Sequence, residues 1–147
     1  MSRKTKSDQP CPVARSVDLI GDRWSLLIVR DAFDGVSRFG DFQRSLGVAR
    51  NILTDRLRKL VDAGVLKMRD ASDGTAYQEY VLSAKGDSLF PIVVALRQWG
   101  ELHLFERGER HSVLIDKRTR KPVPRMAPQG KDGTVLLPAS TEVRKVT

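Results

Sequence analysis

Gly47-Val48 separates two amphipathic helical stretches, and a strand–turn–strand pattern follows the second; few architectures accommodate that order. Before the turn, Phe39, Phe42 and Leu46 share one face of a short helix over about 39–46. After it, Leu53, Leu57, Leu60 and Val61 form the apolar stripe of a longer helix over about 49–63. Gly64 stands where a left-handed C-terminal cap belongs. Two strand-like runs, about 65–69 and 76–82, flank Ser72-Asp73-Gly74-Thr75, a turn of residues that tolerate positive φ.

The flanks complete the pattern. Cys11-Pro12 opens a helix carrying Val13, Val17 and Ile20, with proline well placed at its first position. Gly21 punctuates, and a second helix over about 22–33 has apolar residues on nearly every side, so neighbours must wrap it. Asp34-Gly35 ends it. Ser83 is the expected N-cap of a last long helix with Leu89, Ile92, Val93, Leu96 and Trp99, in which Pro91 calls for a kink or a late start. Beyond Arg107 the chain is rich in Pro, Gly and charge; residues 113–115 and 135–137 can pair as a small sheet, and otherwise this tail is loose. A short helix joined through a glycine turn to a polar-faced helix is a helix-turn-helix, and the hairpin behind it a wing. The expected fold is mainly α with a small β wing. It comprises a basic arm (1–10), a winged helix-turn-helix domain with a long C-terminal dimerisation helix (11–106) and a basic extension (107–147).

The net charge of +8 lies outside that central domain. Residues 11–106 carry 13 charges of each sign, whereas residues 107–147 hold ten basic against four acidic side chains. Such flanks suit a polyanion, duplex DNA in particular, though solvated arms read the same way. Cys11 is the only cysteine, so no intramolecular disulfide can form. The polar N-terminus has no apolar core of a signal peptide, and no apolar run could span a bilayer. A cytoplasmic protein without membrane contact is expected. His103 and His111 are isolated, and no nucleophile–base pair, phosphate loop, paired carboxylates or metal-ligand cluster emerges. Neither catalysis, metal nor cofactor is expected. Trp24 and Trp99 read as core or interface packing.

The helix after the glycine turn presents Arg50, Asn51, Thr54 and Arg58 away from its apolar stripe. Arg can bond guanine bidentately, Asn adenine, and Thr a base or a phosphate. On composition alone this is a solvated helix face; its place between a glycine turn and a hairpin makes it a candidate for the major groove. In the wing, Lys67 and Arg69 are the candidate phosphate contacts, while Asp70 and Asp73 make the tip unusually acidic.

The ordered set Cys11-Pro12-Val13, Leu19-Ile20-Gly21-Asp22-Arg23-Trp24-Ser25-Leu26-Leu27-Ile28, Arg38-Phe39, Leu53 with Arg56-Leu57 and Leu60, Tyr80-Val81-Leu82-Ser83 before Gly86, and Trp99-Gly100 resembles the HxlR-type winged helix-turn-helix regulators. The resemblance covers about residues 11–105. It implies a homodimer held by the first and last helices, binding a pseudo-palindromic operator and most often repressing, with Arg38 and the helix start at Ala49 joining the DNA-facing residues. Ala49 departs from the family, which favours a capping side chain there; the missing cap costs about 1 kcal/mol. Cys11 sits at the positive end of a helix with Arg15 one turn on, a setting that favours the reactive form of a thiol. Since several such regulators sense reactive species at this place, an electrophile or oxidant is the implied effector; a half-buried packing cysteine is the alternative. Two other functions stay open: a non-specific architectural DNA binder and a protein-interaction module without DNA.

Overall fold

A computed structural model describes residues 9–146, which divide into two compact units at Val93–Val94. The expected basic arm lies mostly outside the described residues.

The first unit contains α1 (Pro12–Ile20), α2 (Arg23–Phe33), α3 (Phe39–Leu46), α4 (Arg50–Asp62), β1 (Leu66–Asp70), β2 (Gln78–Leu82), α5 (Ala84–Asp87) and the start of α6 (Phe90–His103). Local chemistry sets most of these ends. Asp22 caps α2 by accepting from the Ser25 N–H at 3.0 Å. α4 closes in a Schellman turn, in which the Val65 N–H reaches the Leu60 carbonyl and Gly64 takes φ 78°. α3 and the start of α4 have no side-chain cap, so packing must hold them. It does: Phe42 from α3 and Leu53, Leu57 and Leu60 from α4 are buried against Ile28 and Val29 of α2. Trp24 packs at the edge of this core.

β1 and β2 pair antiparallel from Leu66↔Leu82 to Asp70↔Gln78. The Tyr80 N–H donates to the Ser37 carbonyl at 2.7 Å, fastening the wing to the segment before α3. Behind the wing, the Ser83 hydroxyl accepts from the Gly86 N–H at 3.0 Å. A Cβ on Gly86 would lie 2.1 Å from the Val65 carbonyl oxygen, so only glycine fits where α5 meets the residue before β1. This close approach accounts for the Ser83–Gly86 spacing.

Three expectations need correction. Ser83 caps the four-residue α5, not a long helix; of the two outcomes left open by Pro91, the late start is found, with Pro91 in the first turn of α6, where a missing N–H is no loss. Of the apolar residues assigned to the last helix, Leu89 and Val93 pack on the first unit's own core, so only part of the helix expected to hold a dimer is uncovered; Leu96 is 51% exposed and Trp99 57%. Residues 113–115 and 135–137 do not pair with each other. Ile115 bridges Pro122 and Gln129 bridges Val135, each run closing on a near neighbour through a tight turn, which orders less chain than a distant pairing. Nor is the extension structureless, for these turns follow α6 in the second unit. Among the described residues, no helix is long and apolar enough to cross a membrane.

Candidate nucleic-acid interface

The αL turn at Gly47 (φ 63°) brings α4 round so that its first residues project from the surface. Arg50, Asn51, Thr54 and Arg58 line one shallow surface together with Asp55. The Arg50 guanidinium lies 4.9 Å from the Phe39 ring centroid, a cation–π contact that steers it without neutralising it. Asn51 is exposed beside it. The Thr54 hydroxyl donates to the Arg50 carbonyl at 2.9 Å, so toward a ligand it offers lone pairs and a methyl group. Arg58 pairs with Asp55 at 3.2 Å, an exposed contact that a phosphate could exchange at little loss.

The helix is held from behind. Arg56 donates from Nε to Asp22 at 3.0 Å and from Nη1 to Asp55 at 2.6 Å, tying α4 to the carboxylate that caps α2. Partial burial pushes the Asp22 carboxyl up, but hydrogen bonds from Ser25 and Arg56 outweigh it and hold the group below its ordinary value.

A second depression, about 590 Å³, runs between α3, the start of α4 and the wing, lined by Arg38, Phe39, Gln43, Arg44, Arg50 and Tyr77 among others. Arg38 stacks 5.4 Å from the Tyr77 ring centroid and pairs with Asp73 at the wing tip. The expected acidic tip is thus an internal partner for an arginine. Asp70 likewise accepts from Gln78 at 2.7 Å. In the wing strands, Arg69 neutralises the buried Glu79 at 3.0 Å, whereas Lys67 is exposed; neither lines the two depressions. Ala49 gives α4 no cap hydrogen bond. Gln43, Arg44 and Tyr77 were missed from sequence. Helical spacing could have found Arg44, opposite Phe42 on α3; Gln43 falls beside the apolar face, and nothing local marks it or Tyr77.

The Asp73 carboxyl is held down at about 2 by the Thr75 backbone N–H and then by Arg38. Its folded value lies below its ordinary 3.8, so its contribution is complete above about pH 4 and is lost as pH falls through about 2. Carboxyl chemical shifts followed from about pH 6 to about pH 1.5 should show the late titration of Asp73. Arg38→Gln should move it back toward the ordinary value.

The HxlR-like helix-turn-helix family profile matches residues 19–107. An HTH-type transcriptional regulator of Mycobacterium bovis is 45% identical over 92 residues, which span 63% of this chain and 58% of that relative. The crystal structure of PA1607, proposed to be a transcription factor, superimposes with a TM-score of 0.90 at 49% identity, covering 95% of this chain and 98% of that one. The redox regulator HypR in its reduced form gives a TM-score of 0.58 at 30% identity, over 64% of this chain and 94% of that one. With a glycine-turned helix pair, a two-stranded wing and a matched profile over most of its length, the chain belongs to the HxlR-like helix-turn-helix family of DNA-binding transcriptional regulators.

Proposed function

We propose that this protein is a cytoplasmic, homodimeric repressor that reads a pseudo-palindromic DNA operator with the first turn of α4. The observation that carries the reading is the pair Arg50 and Asn51: exposed side chains at the start of the helix after the Gly47 turn, one steered by Phe39. Thr54 and Arg58 extend the same surface; Arg38 and Arg44, which line the neighbouring depression, and the exposed wing residue Lys67 contact phosphates. No catalysis, metal or cofactor is involved. A homodimer is supported by large apolar side chains left in water, Val13 and Val17 on α1 and Leu96, Trp99 and Leu102 on α6. Selecting bound fragments from the source genome should return two half-sites about one helical turn, ~34 Å, apart or a multiple of it. Random fragments would favour an architectural protein, and none at moderate salt a protein-interaction module. A monomer at micromolar concentration that binds one half-site with full affinity would overturn the dimer.

Cys11 is proposed as the effector site. Its thiol is exposed and its sulfur accepts from the Ala14 N–H at 3.4 Å, making it the cap of α1. An adduct, or a bond to a small thiol or to Cys11 of the second copy, would remove that cap at a helix expected to bear on the dimer. That a structural relative is a redox regulator supports this reading. A quinone, aldehyde or peroxide should release the protein from its operator in a gel-shift assay. Cys11→Ser, which keeps a capping side chain, should bind normally and ignore the same treatment. Equal release of parent and variant would leave Cys11 a helix cap with no sensing role, exposed and not the half-buried packing cysteine of the alternative reading.

A further inference from the structure

Between Ser112 and Met126 the second unit builds a hairpin. Ile115 bridges Pro122, and the Val123 N–H donates to the Leu114 carbonyl at 3.0 Å. Its base is fastened to α6 at two points. Arg97 donates to the Ser112 carbonyl at 3.1 Å and to its hydroxyl at 2.8 Å. Gln98 donates to the Pro124 carbonyl at 3.0 Å and accepts from the Met126 N–H at 2.7 Å.

The tip, Asp116 to Lys121, closes on itself. The Asp116 carboxylate accepts from the Arg118 N–H at 2.7 Å, and its carbonyl from the Arg120 N–H at 2.8 Å. The one acidic group of the tip is therefore engaged by the tip's own backbone. Lys117, Arg118, Arg120 and Lys121 are all exposed, and none forms an ion pair among the described residues. Arg120 takes φ 61°, the only positive value outside glycine among the described residues. Glycine would sit there without strain, and the chain places a cation instead. In the first unit Arg38, Arg44, Arg58 and Arg69 each already hold a carboxylate, while Arg50 and Lys67, like the tip cations, form no ion pair among the described residues.

We propose that the hairpin 112–126 is a second wing: a rigid, sequence-independent contact for the phosphate backbone of duplex DNA. The proposal rests on the DNA-binding reading above and names where that protein would find its non-specific affinity. Residues 11–106 carry no net charge, whereas residues 107–147 carry ten basic against four acidic side chains, so the net attraction to a duplex's phosphates comes from outside the central stretch and adds to its local contacts. The family profile ends at residue 107, before the hairpin, while the PA1607 structure matches 95% of the chain. The hairpin is thus an addition to the shared domain. Its tip, Lys117-Arg118-Thr119-Arg120-Lys121, has no apolar side chain to enter a lipid surface, which favours nucleic acid over membrane.

The test uses the full chain with K117Q, R118Q, R120Q and K121Q combined, on an operator duplex selected as above and a scrambled duplex of equal length. Affinity should fall by the same factor on both. The slope of log affinity against log salt should shrink by about 0.9 for each phosphate no longer neutralised, up to ~3.6 per subunit. Arg120→Gly, which relieves the backbone and removes one cation, should shrink the slope by about 0.9 without lowering the melting temperature, excluding misfolding as the cause. A slope unchanged in the variants, with a parent that prefers its operator, would overturn the second wing and leave the regulator standing. A parent that binds neither duplex would overturn both. Loss of binding to phosphatidylserine vesicles with no change on DNA would assign the hairpin to membranes and overturn the proposal.

Discussion

Phe42→Ala is expected to remove about 3–5 kcal/mol of folding stability and to abolish DNA binding with it. The ring is fully buried at 0% exposure and is the only buried side chain of α3. That helix is eight residues long, has no side-chain cap and would be marginal by itself, so its existence depends on this anchor. A cavity there cannot be filled cheaply, because Leu53, Leu57 and Ile28 around it are also buried within well-defined helices. Losing the anchor frees the Gly47 turn and hence the angle at which α4 leaves the domain. Urea unfolding should show a lower midpoint at an unchanged slope, and the melting temperature should drop by more than ~10 °C. A loss below about 1 kcal/mol, inside the range of ordinary surface changes, would mean that α3 is held by something other than its aromatic face.

The contrast between α3 and the C-terminal extension shows what periodicity carries. Phe39, Phe42 and Leu46 sufficed to place α3 at 39–46, and Gly47 and Gly64 to end two helices, because spacing and left-handed caps are local. The wing turn was legible for the same reason. Helical spacing puts Leu89, Val93 and Leu96 on one face but cannot say that the first two meet their own domain. In the extension, Val113 to Ile115 and Val135 to Leu137 look alike as partners, and only the turns between them show that each closes locally.

The candidate site divides the same way. That Arg50, Asn51, Thr54 and Arg58 share a surface follows from helical spacing. That Arg38 is held by Asp73, 35 residues on, does not, and it changes the meaning of an acidic wing tip from a repulsive element to a brace. Nor could the Phe39 ring beneath Arg50 be read from sequence, since it depends on how α3 turns into α4.

That ring sharpens the expectation for base recognition. Arg50→Ala and Asn51→Ala should each weaken operator binding by about 1–3 kcal/mol, roughly 5- to 150-fold, while affinity for a scrambled duplex falls far less. Arg50→Lys separates charge from geometry. It keeps a cation, so the salt dependence and the affinity for random DNA should hold, but an ammonium lacks the planar fork that bonds guanine and stacks on Phe39. Phe39→Leu keeps the apolar contact without the cation–π attraction and should move operator affinity in the same direction by less, about 0.5–1 kcal/mol. Thr54→Val removes a hydroxyl whose proton already goes to the Arg50 carbonyl while retaining a methyl, so it should be the mildest change on this face. The ranking is read by titrating operator and scrambled duplexes at one salt concentration. If Arg50→Lys binds the operator as the parent does, or if either alanine variant loses equally on both duplexes, that residue meets phosphate and not a base edge.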